Sequence, residues 1–215
     1  MTKAKHERSM EFFEVEMGDF LDLYNMKLPD PSVVEFYKNL QNRTIVLNQE
    51  FDESLIEVSM YIQRWNVEDL GKTKEERKPI RIFINTLGGD LNSTMNLVDV
   101  IDASTTPVYT IGLGRVYSAG GLLLMAGAKR FVFNNTSCLI HDGSTGTFGD
   151  TGKVLDSAQF TQGTENRLRE YILSRTNIDA ETYDKMYRRD WYMFADEMIE
   201  YGVADCIVEN LDELL

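Results

Sequence analysis

Apolar and polar residues alternate along the chain in two different periods, and the switches between them outline the elements. RTIVLN (43–48) is a short run rich in β-branched residues and predicts a strand. Leu55, Val58, Ile62 and Trp65 recur at helical spacing and predict one buried helix face, with Asp52 placed to cap it. The charged GKTKEERKP (71–79) reads as a solvated loop, and IRIFI (80–84) as a buried strand that runs into NTLGGD. A second amphipathic helix carries Leu91, Met95, Val98 and Ile101; Pro107 ends it, and VYTIG (108–112) is the next strand. GLLLMAGA predicts a helix, and FVF and SCLI predict two further strands. The glycine-rich DGSTGTFGDTGK (142–153) breaks the pattern before a long helix, about 154–175, and a shorter one capped by Asp179 and ending near Tyr187. ADEMIEYG and ADCIV close the chain as a helix and a strand.

Strands and helices that alternate at this spacing need crossover connections, so the pattern predicts an α/β fold with a mainly parallel sheet and a helical excursion at 154–187. Residues 1–42 are mixed and charged; KLPDP (27–31) punctuates them and precedes a short helix near Ser32–Leu40.

Composition narrows the function. At 215 residues with 43% hydrophobic positions, the chain is long and apolar enough to bury a core. A net charge of −13 argues against a nucleic-acid-binding surface and against docking on anionic lipid. The N-terminal segment has no signal-like apolar run, and AGGLLLMAGA (119–128) is too short and glycine-rich to span a bilayer, so a soluble, cytoplasmic protein is expected. Cys138 and Cys206 lack metal or disulfide spacing and read as buried free thiols. No metal or cofactor is expected: there is neither a phosphate-loop nor a dinucleotide fingerprint.

The candidate chemistry centres on GRVYSAGG (114–121). Ser118 reads either as a helix cap or as a nucleophile, and a serine nucleophile needs a base. Of the two histidines, His6 lies in the charged N-terminal segment, whereas His141 ends the apolar strand SCLI, where α/β sites usually form. Gly88 and Gly89 follow a strand and precede a helix, and read either as a tight turn or as a backbone that points N–H groups at an oxyanion. Val116 stands where the GxSxG elbow of α/β-hydrolases has its first glycine, and no carboxylate lies between Ser118 and His141. The residue orienting His141 is therefore Asp142 or one downstream. Asp190, between arginines and aromatics in YRRDWY, is the one that stands out, and it reads equally as part of an ion-pair cluster.

In order, YKNLQNRTIVL, RIFINTLGGD, GRVYSAGGLLLMAGAKR, CLIHDG and RRDWYMFADEMIEYGVADCIV resemble five segments of the proteolytic subunit of Clp protease, the ClpP family. The resemblance covers roughly residues 36–209. It implies the ClpP/crotonase-like α/β fold of repeated β-β-α units, with a helical handle at about 142–187 on a peptidase domain of 36–215, behind a divergent segment of 1–35. It also implies a serine endopeptidase in which Ser118 is the nucleophile, His141 the general base and Asp190 its orienting acid, with the N–H groups of Gly89 and Ala119 as the oxyanion hole. Heptameric rings paired into a tetradecamer, polypeptide substrates adding in extended form beside the glycine-rich segment, and an AAA+ unfoldase partner belong to the same implication. Thr86 and Leu87 depart from the family's Ser-Pro before the glycines, and Ala119 from its methionine. Arg81 and Ala103 stand where the family's docking groove has aromatics, although Phe83 keeps one such position. Two other readings compete. One is a ring or scaffold subunit that does not cut. The other is a crotonase-type acyl-CoA enzyme, which would need carboxylate acid/base residues and a basic site for the CoA phosphates.

Overall fold

The computed structural model describes residues 30–214; residues 1–29 of the segment expected to be divergent lie outside them. The chain divides after Lys38 into two units. Of the first, the described part is the start of helix α1 (Pro31–Gln41), where the Asp30 carboxylate accepts the Ser32 N–H at 2.8 Å.

The second unit alternates strands and helices: β1 (Thr44–Leu47), α2 (Leu55–Glu68), β2 (Ile80–Thr86), α3 (Leu91–Ala103), β3 (Val108–Tyr117), α4 (Ala119–Met125), β4 (Lys129–Val132), β5 (Ser137–Ile140), α5 (Thr151–Arg175), α6 (Ala180–Met186), β6 (Trp191–Phe194), α7 (Ala195–Glu200) and β7 (Cys206–Ile207). They build one seven-stranded sheet in a mixed α/β fold, as expected. The path β1-β2-β3-β4-β7 is parallel throughout. Strand β3 is the pivot. Its first half, Tyr109–Gly112, pairs with β4, and its second, Arg115–Tyr117, pairs with β5. Strand β6, which the residue pattern did not reveal, lies antiparallel to β5.

Ile80, Ile82 and Ile84 of β2 share one face of the strand and are wholly buried, while the opposite face carries Arg81, 9% exposed, and half-buried Phe83. Ile62 and Trp65 of α2 and Leu97, Val98 and Ile101 of α3 join them in the main core. Val98 and Ile101 of the expected stripe are buried on the inward face of α3, joined by Thr94 and Leu97, with Leu91 and Met95 packing at its margin. A smaller cluster, Ile111, Phe131, Val208 and Leu214, packs elsewhere on the sheet with Phe83 and Tyr109 at its edge.

Local signals mostly hold where a side chain has only its neighbours to satisfy. Asp179 caps α6 by accepting the Thr182 N–H at 2.9 Å. Asp52 instead accepts the Ser54 N–H at 2.9 Å in a turn before α2, and Ser54 takes the cap position. The end of α2 is locked to the start of β1: the Asp69 carboxylate, with no exposure, accepts from Arg43 Nη1 and Nη2 at 2.5 and 2.9 Å, from Lys72 Nζ at 2.7 Å and from Thr106 Oγ1 at 2.9 Å. Where the handle is expected, residues 142–148 belong to no helix or strand and lead into α5, 25 residues or about 37 Å long. Within α5 only Ile172 is fully buried, while Leu155 and Phe160 stand in solvent. Among the described residues no helix is long and apolar enough to cross a membrane.

Candidate active site

Strand β3 ends at Tyr117 and the chain turns sharply into α4, and Ser118 is the turn. Its φ of 53° and ψ of −121° lie in a region that costs an L-residue about 1–3 kcal/mol and is held only by surrounding structure. That structure is visible. The Ser118 N–H donates to the Leu139 carbonyl of β5 at 2.8 Å, and the Ser118 carbonyl accepts the Gly121 N–H at 2.9 Å. The hydroxyl makes no capping hydrogen bond, so the cap position is filled by a serine whose side chain is not spent on capping.

The glycine pair lies directly against this turn. A Cβ on Gly88 (φ 109°) would stand 2.8 Å from Ser118 Cβ and 3.2 Å from the Ala119 nitrogen, so only glycine lets the two loops meet this closely. Phe51 clamps the pair: its N–H donates to the Gly88 carbonyl at 2.7 Å, and its carbonyl accepts the Asp90 N–H at 2.8 Å. Thr86 adds a second clamp, its hydroxyl accepting the Gly88 N–H at 3.0 Å and reaching the Gly88 carbonyl at 3.2 Å. The Thr86 methyl also fills the space beside Gly120, where an added Cβ would stand 2.4 Å from it. Among the described residues, neither the Gly89 nor the Ala119 N–H is taken by a hydrogen bond.

His141 follows β5, and β6 brings Asp190 to it. Ile140 pairs with Trp191 in antiparallel register, which sets the residue after one opposite the residue before the other. His141 Nδ1 stands 3.8 Å from Asp190 Oδ1; the carboxylate side chain is 64% exposed and the imidazole 27%. Among the described residues, Asp190 forms no ion pair with an arginine, and neighbouring Arg188 turns to the Tyr187 hydroxyl at 2.8 Å. The Asp142 N–H donates to the Tyr187 carbonyl at 2.9 Å, which ties the segment after His141 to the end of α6.

Ser118, His141, Gly89 and Ala119 all line one cleft of about 890 Å³, and Asp190 does not line it. Among the described residues no hydrogen bond joins Ser118 to His141, and 3.8 Å exceeds hydrogen-bond length between His141 and Asp190. Such contacts are often long without substrate and tighten when it binds. Leu122, Met125, Leu168 and Ile172 give the cleft an apolar wall, to which Glu165 adds a carboxylate that the sequence reading missed. Burial, and then the charge of Asp142, push the Glu165 carboxyl above the usual carboxylate range. Nothing in the residue pattern marks Glu165, because α5 is polar along most of its length and only its packing on α4 selects the face. The Tyr171 hydroxyl donates to the Leu122 carbonyl at 2.9 Å and helps fix that packing. At the positions expected for a docking groove, Arg81 is buried, Phe83 is half-buried and Ala103 is exposed.

The chain therefore has a parallel-rich α/β fold with a strained serine at the end of β3 and a histidine at the end of its neighbour β5. The sequence model of the Clp protease family matches residues 30–211, and the chain belongs to that family. It is 33% identical over 183 residues to the ATP-dependent Clp protease proteolytic subunit 2 of Treponema pallidum, covering 84% of this chain and 89% of that protein. The protein of the same name from Treponema denticola is 32% identical over 179 residues, covering 82% and 87%. The chain is thus a divergent member.

Proposed function

We propose that the chain is a serine endopeptidase of the ClpP type, with residues 36–215 as its peptidase domain and 142–187 as the handle. The observation that carries this is the strained turn at Ser118, whose uncapped hydroxyl shares a cleft with His141 and with two unengaged N–H groups. A strained serine without a capping role is costly unless its exposure at that point is useful.

In this reading His141 accepts the Ser118 proton as the oxygen attacks a peptide carbonyl carbon. The negative charge that develops on the carbonyl oxygen is held by the N–H groups of Gly89 and Ala119, and loss of one such donor costs about 100-fold or more in rate. His141 then gives the proton to the leaving amine, water attacks the acyl-enzyme, and the serine is regenerated. Asp190 holds the imidazole tautomer, and its separation from His141 closes by side-chain rotation when the site is occupied. Membership of the Clp protease family supports assembly into a ring, and the printed names of the treponemal relatives support a proteolytic subunit of an ATP-dependent protease; the cytoplasmic location is part of the proposal. The heptameric ring, its pairing into a tetradecamer and the unfoldase are part of the proposal, with Arg81 and Ala103 altering the docking groove.

The open His141–Asp190 spacing favours one second reading, a ring or scaffold subunit that does not cut. Fluorophosphonate labelling of the purified chain, read by intact mass beside Ser118→Ala and His141→Ala, separates the two. The peptidase reading expects one adduct on the unaltered chain and none on either variant. A folded, ring-forming chain without an adduct would overturn it.

A further inference from the structure

Helix α5 delivers one ionisable side chain to the cleft that the catalytic reading leaves unused. Thr161, Glu165, Leu168 and Ile172 are spaced as one helix face, and all four line the cleft. Glu165 is half-buried among them, and among the described residues it makes neither a hydrogen bond nor an ion pair. Its natural partner is Arg169, one turn further along the same helix. That guanidinium is already held by both carboxylate oxygens of Asp184, at 2.7 and 2.9 Å, and lies over the Tyr183 ring. Among the described residues no lysine or arginine lines the cleft. Of its other two carboxylates, Asp90 is committed to the Ser93 N–H at 2.7 Å, and Glu50 stands exposed at the rim.

An anion set in an apolar wall without a counter-charge is poorly solvated, and a cation brought into the cleft relieves it. We infer that Glu165 makes the cleft selective for polypeptides that place an arginine or lysine side chain against this wall. The proposal rests on the cleft being the peptide-binding site of the peptidase reading and specifies its substrate class. The apolar wall receives the methylene stem, as long basic side chains commonly require, and Glu165 meets the charged head. Burial and Asp142, which raise the proton affinity of Glu165, act in the same direction, since a cation restores the ionised form.

Two labelled peptides test this, identical except for one arginine replaced by citrulline, which keeps the shape and removes the charge. Binding is measured by fluorescence anisotropy on the full chain carrying Ser118→Ala, so that no turnover is needed. The arginine peptide is expected to bind about tenfold more tightly at neutral pH, equivalent to about 1.4 kcal/mol. Adding Glu165→Gln brings the two affinities within twofold, and Glu165→Lys reverses the order. Equal affinity of the two peptides for the chain that retains Glu165, a preference untouched by Glu165→Gln, or no binding of either peptide overturns the inference. Labelling of Ser118 in the unaltered chain decides the peptidase reading separately. A labelled serine with no arginine preference refutes only the selectivity, and an arginine preference with an unlabelled serine refutes only the catalysis.

Discussion

Thr86 offers the sharpest test of how the glycine loop is held. The side chain is 2% exposed and does two jobs that two substitutions separate. Thr86→Val keeps the methyl that fills the space beside Gly120 but removes the hydroxyl. The Gly88 carbonyl retains the Phe51 N–H at 2.7 Å, so the single orphaned group is the Gly88 N–H. A buried donor without an acceptor costs about 1–3 kcal/mol. Thr86→Ser keeps the hydroxyl and deletes one methyl, at about 1 kcal/mol. For a chain of this size each kcal/mol moves the thermal midpoint by about 2–4 °C, so the valine variant loses about 2–12 °C and the serine variant about 2–4 °C. Both are measured at one fixed protein concentration, because assembly would itself shift the midpoint. The variants should separate further in catalysis. Freed from Thr86, Gly88 lets the neighbouring Gly89 N–H drift, and the valine variant loses about tenfold in kcat with little change in KM. The serine variant stays within about twofold. If the valine variant is as stable as the serine variant and cuts peptides as fast, the hydroxyl does not hold the loop and the account of the oxyanion donors is wrong.

Three other outcomes follow from the geometry. Asp69→Asn removes the buried carboxylate that Arg43 meets at 2.5 Å, leaves Arg43 only the half-exposed Glu68 at 3.4 Å as a counter-charge, and should cost up to about 3–5 kcal/mol in denaturant unfolding. The Arg43 guanidinium, first among several donors, holds the Asp69 carboxyl well below its ordinary value of about 3.9. Its contribution is therefore complete above pH about 4 and falls away as pH drops toward the lowered folded value. The gap between unaltered and Asp69→Asn chains should shrink over that acid range, and a gap that widens there would contradict the pairing. Ser118→Gly should unfold at higher denaturant than Ser118→Ala by about 1 kcal/mol, since glycine accepts a φ of 53° without strain; equal stability would mean the turn is unstrained. Burial pushes the Cys138 thiol up to about 12, so iodoacetamide at pH 8 should add once to the folded chain, at half-exposed Cys206, and twice in denaturant, as read by intact mass.

Much of the scaffold was legible because its signals are local. SCLI became a strand with the expected limits, and the long helix ended at Arg175 as its pattern indicated. The failures have physical causes. Strand β3 runs five residues beyond VYTIG, because Leu113–Tyr117 interposes Gly114 and Arg115 and so breaks the apolar alternation where the strand changes partners from β4 to β5. WYMF was missed because four residues against a turn carry too little periodicity, and its pairing with β5 is a long-range fact. The two cysteines were read alike, yet only Cys138 is buried; Cys206 lies on a two-residue edge strand. The site itself was legible as a set of residue types in order. The strain at Ser118, the clamps on the glycine loop and the unpaired Glu165 depend on contacts between distant segments.

The placement of Asp190 has a consequence for biosynthesis. His141 leaves β5 before α5 and α6, and Asp190 is brought to it only by β6, which follows both helices along the chain. A chain emerging from the ribosome therefore presents its serine and histidine long before the acid can reach them. In the peptidase reading, a chain that stops before β6 holds a serine and a histidine without the acid that aligns the histidine. Cleavage would then wait until the chain has been made through β6.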